Sequence, residues 1–222
     1  MKILDLQINT NNPSELTNFY GSILGFPVLN SSDETVRFQA GTTSLSFNSS
    51  QTASPVTYHF AFDVPENQLE EVKVWLDLKV QLLTDESGGG TFHFENWDAH
   101  SLYFYDPAGN IVELIARHAL PNASDAPFSA ASIVNVSEIG VVVDDVEAQV
   151  VELQKTMGIT PYRQAVHPEF TPLGDEGGLL IVVKDGRGWF PVKNMPAQPS
   201  PVAVVVQANG QIYKLRFNSS NL

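Results

Sequence analysis

The sequence has no cysteine among its 222 residues. Disulfides, thiolate nucleophiles and cysteine-based zinc sites are therefore excluded. Basic residues are scarce as well: 12 Lys and Arg stand against 25 Asp and Glu, a formal net charge of −13. That balance predicts no nucleic-acid partner and no anionic membrane surface, because both need a basic footprint. No run of residues approaches the ~20 consecutive apolar positions of a membrane span. Met1-Lys2-Ile3-Leu4-Asp5 leads straight into strand-like sequence, without the apolar segment of a secretion signal. The expectation is a cytoplasmic protein. Gly88-Gly89-Gly90 is not followed by Lys-Ser/Thr, so it reads as a hairpin or lid hinge and not as a phosphate loop.

What is present is a repeat. Residues 3–8 read as a strand, and Asn11-Asn12-Pro13-Ser14-Glu15 opens a helix with Leu16, Phe19, Tyr20 and Ile23 on one stripe, ended by Gly25. Short strands are predicted at 26–30, 34–39 and 43–48. The same order recurs from Tyr58: a strand to Val64, a helix carrying Leu69, Val72, Trp75 and Leu76, and strands near 80–84, 91–94, 101–105 and 111–116. A third copy starts at Ser137, with a helix over 145–157 capped by Asp144-Asp145 and strands at 160–166 and 179–183. Ala119 to Ser132, rich in Ala, Pro, Ser and Asn, reads as the linker before it. Strands at 202–206 and 211–217 form a hairpin about Asn209-Gly210 and are expected to finish the third unit. A single unit cannot bury its own sheet face, so units should pair.

One strand poses a chemical problem. Asp106-Pro107-Ala108-Gly109 suits a type I turn, and the run after it, Ile111-Val112-Glu113-Leu114-Ile115, is aliphatic on both faces except for Glu113. A buried carboxylate must be met by a cation or by donors, or else be protonated. On the residues alone, Arg117 and a metal ion are both candidates for that role, and His59 is equally readable as a hydrogen-bonded core histidine.

Three segments resemble the vicinal oxygen chelate superfamily, which includes glyoxalase I, extradiol dioxygenases, fosfomycin-resistance proteins and bleomycin-binding proteins. They are Asn18-Phe19-Tyr20 through Leu24-Gly25-Phe26, Tyr103 through Glu113-Leu114, and Ile139 through Val146. The resemblance implies an α+β fold of tandem βαβββ modules paired into a cup-shaped mixed sheet. It implies a cup formed by residues 1–118 (modules 1–53 and 54–118), a linker at 119–132 and a third, incomplete module at 133–222. It also implies a divalent ion (Mn, Fe, Zn or Mg) held by Asp5, His59 and Glu113. The position where glyoxalase I carries a further carboxylate falls near Ser44.

By the same resemblance, Tyr103 stands near the substrate. His93 and His100 flank Glu95-Asn96-Trp97-Asp98 and are candidates for acid/base work, His100 foremost. His100 and Tyr103, three apart, should face opposite ways on one continuous strand. Glu138 occupies the repeat position of Asp5 and His59, but no acid or histidine near Leu180 and Ile181 completes a second site. Trp189 with Phe190 and Pro191 is expected to pack in the third module, which covers the cup or builds a homodimer interface. The implied function is a metal-dependent enzyme (a dioxygenase, lyase or isomerase) on a small oxygen-chelating substrate. The alternative is a metal-free protein that sequesters a ligand as bleomycin-resistance proteins do.

Overall fold

The computed structural model describes residues 1–50 and 56–218; the expected module boundary at 53 and 54 lies outside them. The first unit comprises β1 (Lys2–Thr10), α1 (Pro13–Leu16, continuing as a π-helical stretch through Thr17–Ile23), β2 (Val28–Ser31), β3 (Thr35–Ala40) and β4 (Thr43–Ser49). The second comprises β5 (His59–Val64), α2 (Leu69–Asp77), β6 (Phe92–Phe94), β7 (Ala99–Tyr105) and β8 (Ile111–Arg117). The third comprises β9 (Asn135–Val143), α3 (Val146–Met157), β10 (Phe170–Asp175) and β11 (Gly178–Lys184), and a hairpin of β12 (Val202–Ala208) and β13 (Gln211–Phe217) ends the described chain.

Local chemistry explains most of these limits. The side chain of Asn12 accepts from the Glu15 backbone N–H at the start of α1, and Asp145 does the same for Ala148 at the start of α3, so each cap satisfies an otherwise orphaned donor. Gly158 ends α3 in the left-handed conformation that glycine tolerates best. Asn209 and Gly210 both have positive φ (50° and 75°), as a two-residue hairpin turn requires.

The strands form two mixed sheets, ordered β13-β12-β1-β4-β3-β2 and β10-β11-β9-β5-β8-β7-β6. The first expectation about their pairing is corrected here. The second unit shares its sheet with the third, through antiparallel β5 and β9, and the first unit is completed by the C-terminal hairpin through antiparallel β1 and β12. The patterning supplies the reason. Strand β1 turns Ile3, Leu6 and Ile8 inward and leaves Lys2 and Gln7 exposed, so one of its faces is wet. Every residue of β5 and all but the last of β9 are buried, and strands covered on both faces belong at the centre of a sandwiched sheet.

The two sheets meet through a core of aromatic contacts. Phe47 of β4 packs on Phe60 of β5 (ring centroids 6.3 Å), and Phe26 packs on Phe62 (5.3 Å). Tyr20 donates to the buried carboxylate of Asp106 (2.9 Å), which also accepts from the backbone N–H groups of Ala108 and Asn110. The turn residue before β8 is thus a tie between the units. Two strand expectations fail: 80–84 supplies only a bridge between Leu82 and Phe104, and 160–166 only a bridge between Pro161 and Leu173, the strand lying instead at Phe170–Asp175.

Candidate functional site

Facing away from the inter-sheet core, the second sheet carries a cavity of about 270 Å³. Alternation in β5 sends Phe60, Phe62 and Val64 into the core and leaves His59, Ala61 and Asp63 on the cavity side. In β8 the same alternation sends Val112, Leu114 and Ala116 to the core and presents Glu113 and Arg117 with Ile111 and Ile115. Strand β9 adds a bulge: Glu138 pairs with Ala61, but Val136 pairs with Phe62, so Ser137 is the extra residue. Val136 and Ile139 can then both enter the core while Glu138 turns to the cavity.

His59, Glu113 and Glu138 converge, with one potential ligand atom from each lying within 4.8 Å of the others. The Nε2 of His59 is 3.4 Å from Glu113 Oε2 and 3.9 Å from Glu138 Oε2. Burial depresses the His59 pKa to about 4, so the imidazole is neutral and keeps a lone pair at ordinary pH. Its Nδ1 is buried with no hydrogen bond of regular geometry. Burial raises the pKa of Glu113, against the pull of the Ser101 and Tyr103 hydroxyls beside it. Burial, reinforced by the charge of Glu113, pushes Glu138 up to about 8.

Beneath them lies Arg117, fully buried, bonded through Nη2 to Glu138 and through Nε to Asp63 (3.2 Å). Its guanidinium also lies over the rings of Trp97 (5.5 Å) and Tyr162 (5.9 Å). Fully ionised, three buried carboxylates (Asp63, Glu113, Glu138) against one guanidinium leave two negative charges uncompensated. A divalent cation supplies that compensation. Ligand bonds of about 2.1 Å place neighbouring ligand atoms roughly 3–4 Å apart, so one imidazole nitrogen and two carboxylates at these separations fit such an ion. Of the two candidate partners for Glu113, Arg117 lies four residues further along β8, and its charge reaches Glu113.

Asp5 is elsewhere, and its expected place in the cluster is corrected. It lies in the other sheet, ion-paired to Arg37 (2.7 Å) and accepting from Gln7 (2.7 Å). The repeat explains the difference. Asp5 follows a bulge in β1 as Glu138 follows one in β9, but opposite Gln7 stands Ala203, in the place that His59 takes opposite Gly140. Asp5 therefore has no imidazole to join. Ser44 pairs with Asp5 across β4 and receives the Arg37 Nε–H. The signal for Glu138 was its repeat position; what hid it was the assumption that units one and two share the cup.

Tyr103 is buried on the cavity side, its ring stacked on His59 (6.3 Å, 29°). Burial, with the charges of Glu113 and Glu138, holds its hydroxyl well above the ordinary tyrosine range. His100 is not in the cavity. It lies on the opposite face of β7, stacked on His93 (4.3 Å) and 2.9 Å from the Nε2 of His118, because three strand positions separate it from Tyr103. Trp189 and Phe190, from the loop after β11, roof the cavity. Trp189 packs 5.3 Å from His59 and against Gly140, where a Cβ would stand 2.6 Å from its ring.

Solved structures share the architecture. A "putative dioxygenase" from Bacillus subtilis superposes with a TM-score of 0.60 at 15% identity, covering 82% of this chain and 63% of that one. The present chain therefore spans less than two thirds of that protein's length. A glyoxalase I mutant from Zea mays superposes with a TM-score of 0.53 at 16% identity, covering 82% of this chain and 68% of that one. These identities establish likeness of fold. No curated protein matches the sequence. With two curled mixed sheets, a central antiparallel pair and a family model matched over residues 2–183, the chain belongs to the Glyoxalase/Bleomycin resistance protein/Dioxygenase superfamily.

Proposed function

We propose that this chain is a divalent-metal-dependent enzyme that acts on a small oxygen-chelating substrate, with His59, Glu113 and Glu138 as the protein ligands. The observation that carries the reading is the convergence of a neutral imidazole and two buried carboxylates at the floor of a cavity, where full ionisation would leave two negative charges uncompensated. A bound ion with three protein ligands would polarise two adjacent substrate oxygens or lower the pKa of a water.

The chain's own groups have distinct roles in this proposal. Arg117 holds Glu138 by one oxygen and leaves Oε2 turned towards His59, fixing the carboxylate's orientation as supporting residues around metals do. Tyr103 keeps its proton at neutral pH, so it acts as a hydrogen-bond donor beside Glu113 and the substrate oxygens. Trp189 covers His59 and so lowers the dielectric around the floor of the cavity, which strengthens electrostatic interactions there. His100, on the other face, takes no part.

The test is elemental analysis and Mn²⁺ titration of purified protein. About one ion per chain is expected, and Glu113→Gln and Glu138→Gln should each abolish tight binding, because each removes an anionic ligand. Wild-type protein that stays metal-free in millimolar Mn²⁺, Fe²⁺ and Zn²⁺ would overturn the proposal in favour of a ligand-sequestering protein. The raised carboxyl pKa values are what make that second reading workable, since protons would then neutralise the floor.

A further inference from the structure

Three of the five histidines in the chain gather on the face of the second sheet that the cavity does not use. The strand register brings them there. His93 and His100 stand directly opposite each other across β6 and β7, and His100 pairs with Ala116 across β7 and β8. His118 follows Ala116 by two positions, so alternation returns its side chain to the same face, one strand along. Its backbone N–H extends the ladder to the Asp98 carbonyl (2.9 Å). His100 lies beyond Leu102 and Phe104, the core residues on that face, and all three imidazoles reach the surface.

Nδ1 of His100 faces Nε2 of His118 at 2.9 Å, and the other nitrogen of His118, Nδ1, meets a Glu66 carboxylate oxygen at 3.2 Å. With Glu66 accepting from Nδ1–H, Nε2 presents its lone pair to His100. A carboxylate behind a histidine in this way fixes the tautomer and raises the basicity of the ligating nitrogen at metal sites. Two ring nitrogens turned towards each other need a proton or a cation between them. Burial, followed by the charges of His93 and His118, lowers the His100 pKa, so an extra proton on the pair is disfavoured. Tetrahedral bonds of about 2.0–2.1 Å place two ligating nitrogens roughly 3.3 Å apart, which these exposed side chains reach by parting slightly. His93, stacked on His100 (4.3 Å, 6°), is a third nitrogen donor beside them.

We propose that His100 and His118 bind a nitrogen-preferring divalent ion of the zinc class, with Glu66 supporting His118 and His93 as an auxiliary donor. Binding replaces the hydrogen bond between the two rings: His100 carries its proton on Nε2 and gives Nδ1 to the ion, and His118 gives Nε2. The site shares no residue with the cavity floor, where two carboxylates accompany one imidazole. Imidazole suits Zn²⁺, Cu²⁺ and Ni²⁺, whereas carboxylate and water suit Mn²⁺ and Mg²⁺. The two faces of one sheet therefore sort ions by ligand chemistry.

Calorimetric titration of metal-stripped full-length protein with Zn²⁺ tests this. Wild type should bind one more Zn²⁺ per chain, with micromolar affinity, than His100→Gln or His118→Gln, whether or not the cavity floor also takes an ion. Glu66→Ala should keep that stoichiometry and bind the ion about tenfold more weakly or worse, and His93→Gln should weaken it less. His167→Gln, in the loop before β10, should match wild type. Mn²⁺ should not distinguish wild type from His100→Gln. Nitrogen NMR reads the site without mutation: Zn²⁺ should shift His100 Nδ1 and His118 Nε2 and leave His167 unmoved. Equal Zn²⁺ stoichiometry in wild type and both variants, an equal loss in His167→Gln, or unshifted His100 and His118 signals overturns the proposal and leaves the reading of the cavity untouched.

Discussion

Arg117→Met removes the guanidinium that joins Glu138 to Asp63 and keeps most of the side chain's length against Trp97 and Tyr162. Arg117 is fully buried, as are both of its carboxylate partners. Deleting one member of a buried ion pair costs roughly 3–5 kcal/mol, chiefly because the remaining charge has no compensation. Three carboxylates would then share the site with no cation. For a chain of this length each kcal/mol moves Tm by ~2–4 °C, so metal-free protein near pH 8 should melt about 10 °C lower. Thermal unfolding in EDTA reads this directly. Adding Mn²⁺ should then raise the Tm of the variant more than that of the wild type, since Glu138 no longer divides its charge between guanidinium and ion. A fall of less than about 2 °C in EDTA would refute the reasoning: the carboxyls would already be protonated in the wild type, with no charge for Arg117 to balance.

Three further outcomes are expected. In the metal-free protein, the Glu138 pKa is raised from 4.5 to about 8, so the stability from its proton uptake is full below about pH 4.5 and lost as the pH climbs through 8. His59 works in the opposite sense, its pKa being lowered from 6.5 to about 4; its contribution is full above pH 6.5 and lost as the pH falls through 4. Tm of EDTA-treated protein should therefore decline from pH 6 to 9, with added divalent ion flattening the decline; a metal-free Tm that rises over this range would contradict the assignment. Asp5→Asn should leave metal content unchanged and alter stability by less than ~1 kcal/mol, because its partner Arg37 is 46% exposed and the amide keeps an oxygen to accept from Gln7. Elemental analysis and a denaturant melt of that variant check both halves. Gly140→Ala should cost ~1–3 kcal/mol by forcing Trp189 outward, and tryptophan emission should shift to the red, because Trp189 is now only 4% exposed.

Much of the fold was legible because its signals are local. The stripe of Leu16, Phe19 and Tyr20 set one helix, the Asp145 cap another, and the Asn209-Gly210 turn fixed a hairpin. The strand at Phe170–Asp175 was missed because Pro172 and Gly174 interrupt it, and both residues ordinarily argue against a strand interior. Pro172 is tolerated because β10 is an edge strand.

The sequence by itself determined that His59 and Glu113 lie on strands of one repeat unit, that Glu113 needs a positive partner, and that no thiol contributes. Only the tertiary structure decided which third acid faces them. Asp5 and Glu138 occupy the same place in their units, and no local pattern separates them. The choice depends on which strand each unit lays beside β5, a non-local pairing governed by which sheet faces end up covered. Because β9 is buried on both sides and β1 is wet on one, Glu138 enters the cavity while Asp5 is held by Arg37 and Gln7 on the other sheet.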